Sequence, residues 1–312
     1  MRPSWTCRIA VWAAVLLYAV PVQGGLRLDQ ALDLARKGWV YELRETMLGR
    51  DLSIPVRIHP DVNVAATLCL LGEPPTPQSR QVIDAFLRLL RDSFGTAPDV
   101  VEARTIDGCD TDRPVALRLY SGRPPNDALT ADLTWLSARH GLGLPRGRRF
   151  LAVSPAQGQT FFGPRGAVTH IMVQQSSGRD RSPLADTFFR SILIEELYQS
   201  FTFGMDILHF DPSVPWASKL EENPTLLRNM PWDSDRFRMG LLASNPVGLC
   251  PFDLMMLAAL ADAPVETSTD PALLDHIAAR FDALTARVAE QLGDPRNASI
   301  LDASCTGIAD AD

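Results

Sequence analysis

Between Leu184 and Phe203 the chain places apolar side chains at most helical positions and breaks the run most densely with Glu195, Glu196 and Gln199. A helix apolar on nearly all sides must be enclosed by other elements, so the polar trio is carried into an interior. Spacing sets its geometry. Glu195 and Gln199, four residues apart, share a helix face, and Glu196 sits one position round. In an HExxH helix the same spacing puts two imidazoles on zinc and the intervening Glu on the attacking water. Here Glu195 and Gln199 stand in the imidazole positions, and Glu196 keeps the place of the general base.

Zinc favours nitrogen and sulfur ligands, whereas carboxylate and amide oxygens suit calcium, magnesium or manganese. Adjacent acids in an apolar setting also repel, which raises the pKa of one unless a cation lies nearby. The trio therefore has three possible uses: hydrogen bonds that hold the helix in place, binding, or an altered metal site. His209, ten residues beyond Gln199, is a further candidate ligand for such a site. His170 alternates with Val168 and Met172 on an expected strand and can point toward the glutamates. Nucleophilic chemistry has little support, since Ser154 is not in a G-x-S-x-G elbow and no GK[ST] follows Gly163–Gly166.

The first 24 residues are a different material. Arg2 and Arg8 precede the apolar stretch Ile9–Val20, Pro21 breaks it, and Val22 and Gly24 fit the −3 and −1 positions of a cleavage site. This is the layout of a secretory signal peptide, too short in its apolar part for a bilayer span of about 20 residues. The expectation is a periplasmic or secreted protein without a transmembrane anchor after cleavage. Cleavage removes two of 30 basic residues and leaves 28 against 37 acidic ones, a net charge of −9, so nucleic acid is not an expected partner. Export also gives the cysteines a meaning. Cys7 leaves with the signal, and Cys69, Cys109, Cys250 and Cys305 can form two disulfides. Nearest neighbours pair as Cys69–Cys109 and Cys250–Cys305, each closure worth about 4 kcal/mol in chain entropy.

Patterning along the rest of the chain predicts helices over 27–48, 78–94, 129–140, 184–203, 251–261 and 271–292. Strands are expected at Ser53–His59, Arg149–Val153 and Ala167–Gln175, with Val100–Ile106 and Val115–Tyr120 as a pair joined by a turn. Residues 206–249, rich in Pro, Trp, Asn and Asp, read as irregular, with Trp216 and Trp232 either facing a groove or anchoring the stretch. Residues 294–312 read as a loose tail that Cys305 can pin. The order predicts one α+β domain over 25–293 rather than alternating βαβ units.

The run Glu195–Asp206 (EELYQSFTFGMD), then Pro212-Ser213-Val214, then the helix opening at Cys250 resembles an uncharacterised group of exported proteobacterial proteins, domain of unknown function 2927. The resemblance covers about residues 165–265. It departs at Met205, where the family has Asn, and after Val214, where the family has Phe. It implies a zincin-like peptidase architecture, a mixed sheet with an active-site-type helix and a helical C-terminal part, whose zinc ligands have been replaced. Carried over, Glu195, Glu196, Gln199, Asp206, Ser213 and Asp253 occupy the motif positions. In a zinc peptidase fold, the Ala167–Gln175 strand would be the substrate-binding edge.

The expected function is a non-catalytic binding or accessory domain of the envelope. Glu195, Gln199 and Asp206 would be its binding residues, and a peptide or an envelope protein its partner. No cofactor is expected. The alternative is a metal-dependent hydrolase with Glu196 as base and Glu195, Gln199 and His209 on a divalent metal.

Overall fold

The computed structural model describes residues 26–40 and 64–305, apart from 164–165, 179–181, 212, 226, 228 and 268–269. The expected signal peptide, residues 41–48 of the first expected helix, the expected Ser53–His59 strand and residues 306–312 lie outside the described residues.

Central to the fold is a strand apolar enough to be covered on both faces: β1 (Thr67–Gly72, TLCLLG). It is flanked by β2 (Val100–Ala103) and β3 (Pro114–Tyr120), both parallel to it. Parallel neighbours require a crossover, and helix α2 (Pro77–Phe94) supplies the one between β1 and β2. Beyond β3 come β5 (Gly166–Gln174), parallel to β3, and then β4 (Ala156–Gly163), antiparallel to β5. The order is β2-β1-β3-β5-β4.

The α+β expectation holds, with three corrections to its parts. Val100–Ile106 and Val115–Tyr120 are not partners; β1 lies between them, and β1–α2–β2 is a βαβ unit. Arg149–Val153 is not in the sheet; the strand begins at Ala156, and the Gly- and Gln-rich run AQGQTFFG masked it. Ala167–Gln175 is an interior strand, so the edge role falls to β4.

Alternation splits the sheet into two faces. Leu68, Leu70, Leu117, Ile171 and Val173 join the main core under α2 and helix α4 (Pro183–Thr202). Ala116, Val168, Tyr120 and Met172 face helix α3 (Asn126–His140), where Leu129, Leu133 and Leu136 cover them. Within the stretch read as irregular, helix α5 (Asp235–Leu242) packs on α4, and behind α2 and α4 lie α6 (Pro251–Asp262), buried on every side over its first ten residues, and α7 (Ala272–Gly293). At the chain's start, α1 (Leu28–Ala35) passes into a wider π-helical turn at 36–40. There Trp39 is fully buried edge-on to Tyr198 and Phe252 and donates its Nε1–H to the carbonyl of Thr202 at 3.1 Å.

Both disulfides pair as expected. Cys69 of β1 joins Cys109, and Cys250 at the head of α6 joins Cys305, with Cα separations of 5.9 and 5.5 Å. Residues 294–305 are docked rather than loose. The amide of Leu249 donates to Ile300, and Gly248 lies so close to Leu301 that a Cβ there would meet its carbonyl carbon at 2.7 Å. Two disulfides fit an oxidising compartment. Among the described residues no helix is long and apolar enough to cross a membrane.

Candidate functional site

Helix α4 is set by its ends. Ser182 caps it by accepting from the Ala185 amide at 3.1 Å, Pro183 takes the first turn, and Phe203 closes it in the left-handed region at φ 56°. Gly204 follows because the turn runs against Leu220 and Trp39, where a Cβ would lie 2.5 and 2.7 Å from side-chain atoms. That close approach brings the irregular 206–249 stretch back over the helix.

The stretch carries Lys219 into the interior. Its side chain is fully buried, and the ammonium has three acceptors: Glu195 Oε2 at 2.7 Å, the Pro246 carbonyl at 2.7 Å and Ser191 Oγ at 3.2 Å. Those three account for all its protons. The same Glu195 oxygen accepts from Asn245 Nδ2 at 2.7 Å. Asp253 fixes the loop that delivers the lysine. Its carboxylate accepts from the Lys219 amide at 2.7 Å, from Ser218 Oγ at 2.6 Å and from the Cys250 amide at 2.7 Å. Burial pushes Asp253 up to about 7 even against those three bonds.

On the face shared with Glu195, Gln199 donates its amide to Asp206. Burial and the nearby Glu195 carboxylate raise Asp206 to about 6. Burial raises Glu222 to about 8, helped by Asp206 and Glu195 and opposed by Lys219. Round the helix, Glu196 is 8% exposed, and its Oε2 has no hydrogen-bond partner among the described residues. Burial foremost, then Glu195 and Asp206, holds it well above the ordinary carboxylate range. It lies beneath Gly158 of β4, where a Cβ would sit 2.4 Å from Oε2. The ammonium thus touches one acid, Glu195, and burial raises the pKa of the three others nearby, Glu196, Asp206 and Glu222.

The structure brings together Glu195, Glu196, Gln199 and Asp206, as the spacing predicts. His209 does not join them through its ring. Its Nδ1 faces Glu221 at 3.1 Å, its Nε2 faces the Val214 carbonyl at 3.2 Å, and Trp216 packs on the ring with centroids 4.7 Å apart. His170 turns to the opposite face of the sheet, 2.9 Å from Asp132, which also holds Arg118. Alternation along β5 explains this: Ile171 and Val173 take the α4 side, so His170 cannot. Among the described residues Ser213 bonds within its own turn, to Asp211. Among the described residues no three of His, Cys, Asp or Glu are grouped to hold a metal.

Lys219, Asn245 and Glu222 are the members that sequence reasoning missed. A signal for the first was present: only Lys37 and Lys219 are lysines among 30 basic residues, and Lys219 lies in the stretch facing the helix. No family model matches the chain, and no curated protein or solved structure is significantly similar to it.

Proposed function

We propose that this protein is an exported, non-catalytic binding domain of zincin-like architecture, in which a buried lysine stands where a metal-dependent relative would hold its cation. The carrying observation is the Lys219 ammonium, 2.7 Å from Glu195 and wholly shielded from solvent. An antiparallel edge strand running over the Glu195–Gln199 helix supports the architectural part. The signal-like N-terminus and the two disulfides support export to the periplasm or beyond.

The residues present do not fit zinc. Glu195 is engaged by Lys219 and Asn245, Gln199 by Asp206, and His209 by Glu221 and Val214. A general base must be ionised at working pH, and burial, with Glu195 and Asp206 nearby, works against ionisation of Glu196. A bound peptide or envelope protein would be recognised by the surface around β4 and α4. Peptidase and esterase assays on the wild type and on Glu196→Ala test this. Equal background rates are expected, whereas activity in the wild type that the substitution removes would overturn the proposal.

A further inference from the structure

The run Arg149–Val153 has strand-like sequence but stands outside the sheet, and the structure shows what holds it, with the preceding Arg146–Arg148 turn, there. Thr130 of α3 accepts from the Phe150 amide at 3.0 Å and donates to its carbonyl at 3.2 Å. Asn126, at the start of the same helix, accepts from the Ala152 amide at 2.8 Å. Phe150 and Ala152 pack inward on Tyr120, Leu129, Leu133 and Met172. Their alternates, Leu151 and Val153, are turned outward and are 56% and 83% exposed. Ordering two large apolar side chains in water gains nothing for folding, so their display is unexplained by stability. The main chain of Leu151 has no hydrogen-bond partner among the described residues.

Charge around this ledge is also unusual. Arg146, Arg148 and Arg149 are all exposed, in a chain whose balance is acidic. Arg149 pairs with Asp127 at 3.0 Å, and Arg148 lies over the Phe150 ring at 5.4 Å. Neither Arg146 nor Arg148 has a carboxylate partner among the described residues.

We infer that the Arg146–Val153 ledge docks an extended segment of a partner protein carrying carboxylates beside apolar side chains. The i, i+2 spacing of Leu151 and Val153 matches the repeat of one strand face, and the open main chain of Leu151 offers such a partner backbone bonds. The arginines supply complementarity to its acids. A lipid surface would match the charge and the apolar pair but would leave the main-chain groups of Leu151 unpaired. This inference uses none of the Glu195–Lys219 residues and stands apart from the function proposed above.

The test uses the intact protein from residue 25 and a fluorescein-labelled peptide of about a dozen residues alternating Glu with Val. A Lys-for-Glu counterpart serves as control. In fluorescence anisotropy the acidic peptide is expected to bind about tenfold more tightly than its control, and to lose about tenfold with Leu151→Ser/Val153→Ser or with Arg146→Glu/Arg148→Glu. All four positions are exposed, so the variants should keep the wild-type melting curve. Equal binding of the two peptides, or binding indifferent to both double variants, would overturn the inference. So would binding to phosphatidylglycerol vesicles, lost in the variants, with no peptide binding, which would make the ledge a membrane-facing surface.

Discussion

Lys219 and Glu195 form a contact of 2.7 Å in which the lysine is fully buried and the glutamate is 18% exposed on its side chain. They come from a helix and from an irregular loop 24 residues later, so the contact ties the loop to the helix. Removing one partner strands the other charge away from water, which costs about 3–5 kcal/mol. Lys219→Met and Glu195→Gln should each lower the unfolding free energy, read from urea denaturation, by that order. The double variant Lys219→Met/Glu195→Gln should recover part of the loss, and strict additivity would show that the pair is not coupled.

The raised carboxyl groups give stability a definite dependence on pH. Asp206 at about 6 and Glu222 at about 8 both lie above their unfolded values of roughly 4. Between those limits the folded state binds more protons than the unfolded state, so stability falls as pH rises. The contribution is complete below about pH 4 and is lost as pH passes through 6 and then 8. Denaturation midpoints across this window should decline. Asp206→Asn and Glu222→Gln should flatten the slope in the lower and upper parts respectively. A midpoint that climbs through this range because of these groups would contradict the assignment.

Gly158 is the close approach that lets β4 cover Glu196. A methyl at this position meets the Glu196 carboxyl at 2.4 Å. Gly158→Ala should cost about 1–3 kcal/mol through overpacking. The same change in a Glu196→Ala background should cost less, and the difference, read by thermal or urea unfolding, is the energy of the clash. Equal costs in both backgrounds would place the strain elsewhere.

The disulfides close loops of 40 and 55 residues. A chain starting at residue 25 should show no free thiol before reduction and four after it. Loss of either bridge should lower stability by about 2–4 kcal/mol. Cys250→Ser should also release the segment around Ile300 and Leu301, measured as faster amide exchange there than in β1.

Several of these features could be read from the sequence because they rest on local rules. Helical spacing placed Glu195, Glu196 and Gln199 correctly, and sequence proximity identified both cysteine pairs. The long helices followed from their apolar period. What escaped depended on packing between distant segments. The β4 strand is written in Gly, Gln and Thr because its outer edge meets no core, so it lacks the alternation that marks a strand. Arg149–Val153 has that alternation, yet Thr130 and Asn126 claim its main chain. The partner of Glu195 was missed because a lysine in a Pro- and Trp-rich loop looks solvated until the loop is seen to fold back. His209 was a candidate ligand by its distance along the chain, but Glu221 and Val214 lie nearer in space than the helix spacing implies.

In the proposed function the Lys219 ammonium, and not a metal ion, neutralises Glu195. Elemental analysis of the chain from residue 25, folded with zinc, manganese and calcium present and then desalted, tests it most directly. No stoichiometric metal is expected in the wild type. One equivalent of a divalent metal, removed by a chelator and absent from Glu195→Ala, would contradict it.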